Sequence, residues 1–164
     1  MSSDLQIDRL SFELGMINCF AEMVAAGVKR LAISPPLLPG DYEQLREASE
    51  EIVRRSGVRS HLEKALIITS LQSADFTSGK WSILYYRDED TLEAYLALKR
   101  KQARLQESGQ YDDGAEADIS AEFMRLLSYP EEIIQEKIAA PTPSDPYMHV
   151  QPDASASPEG AGGD

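Results

Sequence analysis

From Pro141 to Asp164 the chain has almost nothing with which to build a core, and that break limits what can fold. These 24 residues hold five of the nine prolines, three glycines and three serines, with no Lys or Arg. Their only sizeable apolar side chains are Tyr147, Met148 and Val150. Such a segment cannot bury enough surface to offset the entropy of ordering it. The expected organisation is one globular domain over residues 4–139, then a disordered, acidic Pro/Gly/Ser-rich tail over 140–164. About 140 residues suffice for one ordinary core.

Charge narrows the partners. The net charge is −12, and the tail carries −4 of it through Asp145, Asp153, Glu159 and Asp164, leaving −8 on the rest. Nucleic-acid affinity rests largely on Lys and Arg neutralising phosphates, so no nucleic-acid partner is expected. Docking on anionic lipid is disfavoured for the same reason. The longest apolar run, Ala65 to Leu71, is far too short to cross a bilayer, so no membrane association is expected. The N-terminus is charged and does not read as a secretory signal, and Cys19 is the only cysteine. A reducing, cytoplasmic compartment is the expectation.

Ser11 to Ala26 is the strongest helical segment. Phe12, Met16, Cys19, Phe20 and Met23 fall on one stripe and Leu10, Leu14, Ile17, Ala21 and Ala25 on another, with Gly27 where a C-terminal cap belongs. A helix apolar on most faces predicts burial between layers. Val28 to Ser34 reads as a short strand stopped by Pro35-Pro36. Asp41 caps a helix over Tyr42 to Arg55, whose stripe is Leu45, Ala48, Ile52 and Val53 and which Gly57 closes. Ala65 to Leu71 and Trp81 to Tyr86 are rich in β-branched or aromatic residues and predict an antiparallel hairpin with a long loop. Asp90 opens the next helix as a capping box, with Leu92, Tyr95, Leu96 and Ala103 inward. Ala115 to Leu127 forms another, and Pro130 starts a last one anchored by Ile133, Ile134 and Ile138. The predicted fold is α+β, a helix-rich single domain with about five helices packed on a small two- or three-stranded sheet.

Familiar chemical motifs are absent. Thr77-Ser78-Gly79-Lys80 lacks the first glycine of a phosphate loop (Ala74), and Trp81 stands where Ser or Thr is needed. His61 and Cys19 have no local spacing that suggests zinc, so no metal and no cofactor are expected. Cys19 sits in mid-helix on an apolar stripe and reads as a small buried thiol instead of a nucleophile. Pro35 to Pro39 has PxxP spacing, more simply a rigid connector than a docking peptide.

The polar residues of the first helix stand out. Asn18 and Glu22 are four apart and share a face, and Glu13 lies nearby. On a buried helix they need partners or a pocket. The alternatives are a solvated strip or a small ligand pocket of Glu13, Asn18 and Glu22 with Tyr85 and Arg125 as partners. The functional expectation is a non-catalytic interaction or regulatory protein with a protein partner or self-association, such as a homodimer joined at an exposed sheet edge. The other expectation is a small-molecule-binding protein or small enzyme using the pocket beside the first helix.

Overall fold

The computed structural model describes residues 6–72 and 74–140. The described residues form six helices on a three-stranded antiparallel sheet, an α+β domain. In chain order these are α1 (Arg9–Ala25), β1 (Leu31–Ile33), α2 (Pro39–Ser56), β2 (Arg59–Glu63), α3 (Ala74–Thr77), β3 (Ser82–Tyr86), α4 (Glu89–Glu107), α5 (Asp113–Leu126) and α6 (Glu131–Ala139). The last described helix runs to Ala139. Of the tail read over 140–164, residues 141–164 lie outside the described residues.

Helices cover both faces of the sheet because its central strand is apolar on both faces. The order is β1-β3-β2, with Ala32 opposite Tyr85 and Leu62 opposite Ile83. Side chains alternate along a strand, so Leu84 and Tyr86 face one layer while Ile83 and Tyr85 face the other. The first pair packs with Tyr95 and Leu98 of α4 and Ile119 and Phe123 of α5. The second packs with Ile17, Ala21 and Val24 of α1 and Leu45 of α2. A third, smaller cluster seats Ile134 of α6 on Ala121 and Met124.

Several expectations need correction. α1 is not sandwiched between layers; it covers one sheet face beside α2. Ile17, Ala21 and Val24 point inward, while Asn18, Cys19 and Glu22 are exposed on the far side of the cylinder. Cys19 is therefore not a buried thiol. α2 starts at Pro39, with Leu38 in the cap position and Asp41 buried inside the first turn, and Ala48 faces outward. α4 starts at Glu89 after Asp88, not at an Asp90 box; Leu98 and Gln102 are inward, and Ala103 is exposed. Pro130 is the cap residue of α6, whose anchor is Ile134 with Ile138 half-buried, while Ile133 is exposed. Pro35, Pro36 and Leu37 are buried, and Leu37 and Trp81 exchange two backbone hydrogen bonds of 2.8 Å. The proline run is thus a connector that carries the edge of β1 past the end of β3.

The largest displacement concerns the hairpin. Its first strand is Arg59–Glu63, and Ala65 to Leu71 is irregular. Buried irregular backbone must find partners for its N–H and C=O groups. Here side chains supply them. The Tyr95 hydroxyl accepts from the Ile67 amide (3.3 Å), Ser120 Oγ accepts from Ser70 N–H (3.1 Å), and Gln102 Nε2 donates to the Ile68 carbonyl (2.6 Å). The apolar run still enters the core through Leu66 and Ile67, without a ladder.

Helix ends follow their capping residues. Gly27 has φ 76°, and Val28 N–H returns to the Met23 carbonyl while Gly27 N–H returns to Val24, a Schellman closure. The same pattern ends α5, but with Ser128 at φ 66° in the left-handed position. Ser128 Oγ accepts from the Arg30 amide (2.8 Å), and Lys29 Nζ donates to the Leu127 carbonyl (2.7 Å). The chain entering β1 is thereby tied to the end of α5.

Candidate functional site

α1 and α2 begin at the same end of the domain. Asp8 caps α1 by accepting from Ser11 N–H (2.9 Å), and Arg9, in the first turn, reaches across to form an ion pair with Asp41 of α2. An acid in the first turn of α2 also suits the positive end of that helix. One turn beyond Arg9, on the same face, lies Glu13. Both acids are removed from solvent, with Glu13 at 8% and Asp41 at 5% exposure.

Glu13 Oε2 has no hydrogen-bond partner among the described residues. Burial, and then the Asp41 charge, push its carboxyl up to about 7, with Arg9 and Lys80 pulling the other way. Tyr85, fully buried in the same layer, has a phenol raised above its ordinary range chiefly by burial, with the Ser49 hydroxyl opposing that shift. Ser49 is a neighbour of Tyr85 Oη without the geometry of a hydrogen bond, so Oη also makes none among the described residues.

An aromatic and cationic group closes this end. The rings of Tyr42 and Trp81 meet edge to face at 5.6 Å. Lys64 Nζ sits 4.5 Å from the Trp81 ring centre, and Lys80 Nζ 5.5 Å from that of Phe76. Ile7 and Leu38, flanking the starts of the two helices, are 41% and 49% exposed. Five chain segments therefore contribute to one end of the domain: 7–13, 38–42, Lys64, Phe76 and Lys80–Trp81.

The residues expected from the sequence divide. Glu13 and Tyr85 lie in the α1/α2 layer. Asn18 and Glu22 are exposed, as in a solvated strip. Arg125 is on α5, in the opposite layer, and is held by Glu131 through hydrogen bonds of 3.0 and 2.7 Å. It is not brought to Glu13. Arg9, Asp41, Tyr42, Lys80 and Trp81 were not anticipated. The one available signal was the four-residue spacing of Arg9 and Glu13.

A second polar cluster lies under the opposite sheet face. Glu63 accepts from Lys99 Nζ (2.8 Å), Tyr95 Oη (2.9 Å) and the Ala65 amide (2.9 Å). Burial works to raise the Glu63 carboxyl, but these three bonds outweigh it and hold it below its ordinary value. Every member is satisfied, as expected of a network that supports structure. Among the described residues no group of three or more His, Cys, Asp or Glu converges as a metal site, and no helix is long and apolar enough to cross a membrane.

The α1/α2 end can hold or release one proton near neutrality, and its free carboxyl oxygen can accept a hydrogen bond from a donor. Comparison with protein-family models, curated proteins and solved structures returns no match.

Proposed function

We propose that this chain is a non-catalytic binding protein of the cytoplasm, and that its recognition surface is the end where α1 and α2 begin. The observation that carries this reading is the buried Glu13 carboxyl, whose Oε2 has no hydrogen-bond partner among the described residues, at the end of the domain that also holds the Tyr42–Trp81 pair. Buried polar groups are ordinarily satisfied, and exceptions gather where a protein binds or switches. Exposed Ile7 and Leu38 add apolar surface, and Lys64 and Lys80 give this end local positive charge on an acidic chain. Aromatic anchors ringed by polar groups are the usual composition of a binding surface.

Leu38→Glu and Val28→Glu test the assignment. Both sites are exposed, but Val28 follows the C-terminal end of α1, about 25 Å away along the helix. Affinity capture with the full chain should lose its specific partners with Leu38→Glu and keep them with Val28→Glu. Trp81 is the only tryptophan, so its emission should shift on titration with any captured partner. Equal capture by both variants would remove the assignment.

Self-association is a second reading, favoured by the outer edge of β2, which no strand covers among the described residues. Unpaired edges tend to be covered or paired. Sedimentation equilibrium at micromolar concentration that shows only monomer would eliminate it.

A further inference from the structure

We infer that Glu13 is a proton-controlled latch between α1 and α2: protonated, it lets Arg9 serve Asp41 and hold the two helix starts together; ionised, it sets two buried carboxylates against one guanidinium and releases the first turns of α1. The inference concerns a movement within the domain and does not depend on what binds there.

The geometry supplies the parts. Glu13 and Asp41 are both more than nine-tenths buried, on different helices, and Arg9 bridges to Asp41 from one turn before Glu13. Glu13 Oε2 makes no hydrogen bond among the described residues. A neutral carboxyl in that position costs little. An ionised one without a partner is costly, and the Asp41 charge adds to the cost. The charged groups that act on Glu13 are Arg9 from its own helix, Asp41 from α2 and Lys80 from the turn before β3. Of these only Arg9 and Lys80 favour the ion. Arg9 is committed to Asp41, and Lys80 is half-buried over the Phe76 ring.

The cheapest relief is local. Glu13 lies near the start of α1, whereas Ile17, Ala21 and Val24 hold the remainder of the helix in the core. Turning out residues 9–13 returns the carboxylate to water and leaves those three side chains in place. Helix ends open more readily than core segments. The raised value of about 7 in the closed form, against an ordinary 4.5 once exposed, makes opening favoured as pH rises. Between pH 6 and 8 the open fraction should grow about tenfold, since the open form is ionised throughout this range and the closed form ionises only at its upper end.

The test is amide hydrogen exchange by mass spectrometry on the full chain at pH 6 and pH 8, with intrinsic rates corrected. Segments 9–16 and 39–45 should lose about tenfold protection at pH 8, while β3 and α4 do not change. Glu13→Gln should show equal protection at both pH values. A carbon-detected titration of the Glu13 carboxyl in the unmodified chain gives a second reading that no substitution can disturb; its midpoint should lie near neutrality. Unchanged protection between pH 6 and 8, the same pH dependence in Glu13→Gln, or a midpoint in the ordinary carboxylate range would each overturn the latch.

Discussion

Replacing Tyr95 by Phe should release the irregular segment that follows β2, at a cost that can be worked from its bonds. Tyr95 is fully buried, and its ring packs 6.2 Å from that of Phe123. Phenylalanine keeps that packing and removes only the hydroxyl. Two interactions go with it: the bond donated to the Glu63 carboxylate and the acceptor for the Ile67 amide. A hydrogen bond to a charged group contributes about 1.5–3 kcal/mol, and an orphaned buried amide costs about 1–3 kcal/mol. Glu63 keeps Lys99 and the Ala65 amide, so its own loss falls at the low end. The expected destabilisation is about 2.5–4.5 kcal/mol, a large part of the roughly 5–15 kcal/mol that holds a domain together. Burial and then the adjacent Glu63 charge keep the phenol well above its ordinary range, so the hydroxyl remains a donor at any working pH. Urea unfolding at pH 7 measures the total, and hydrogen exchange at residues 65–71 locates it. A variant within about 0.5 kcal/mol of the parent, with exchange in that segment unchanged, would show that the hydroxyl does not hold the segment, since that is the scatter of neutral substitutions.

Other substitutions probe the remaining features. Glu63 has a lowered value when folded, so its stabilisation is complete above its ordinary value of 4.5 and fades as pH falls through the folded value; Lys99→Met should flatten that acid limb in urea midpoints from pH 3 to 7. Glu13 has the opposite sign: rising from 4.5 to about 7, the parent should lose up to about 3 kcal/mol across that window, nearer 2 after solvent screening, while Glu13→Gln should not. Parallel pH profiles for the two proteins would refute this. At Ser128, Ala keeps the left-handed strain and loses the bond to Arg30, whereas Gly loses only the bond, so thermal melts should rank Ser128→Ala about 1 kcal/mol below Ser128→Gly. Gly15→Ala, mid-helix with open space around the new methyl, should raise stability by about 1 kcal/mol, and Gly57→Ala, at φ 69°, should lower it by a similar amount.

The helices were legible because their signals are local. Spacing of three and four placed Ile17 and Ala21 inward, and Gly27 and Gly57 marked the ends of α1 and α2 at positive φ. Ser128 was not legible as an equivalent cap, because serine accepts that conformation only where a partner such as the Arg30 amide supports it. Two stripes on α1 predicted burial all round, but the stripe of Phe12, Met16, Cys19, Phe20 and Met23 carries half-buried residues together with exposed Cys19.

Composition and periodicity alone determined the α+β class, strand β3 and the helical run to Ala139, since each depends on residues within a turn or strand of one another. Only the tertiary structure decided that Ala65 to Leu71 would leave the ladder to Arg59–Glu63. The partners that satisfy its backbone, Tyr95, Gln102 and Ser120, come from helices 28 to 50 residues away in sequence. Only the tertiary structure, too, set Glu13 beside Asp41. Arg9 and Glu13, four apart, share a face of any helix through them, but whether that face meets water or a second acid 28 positions later depends on how α2 packs against α1.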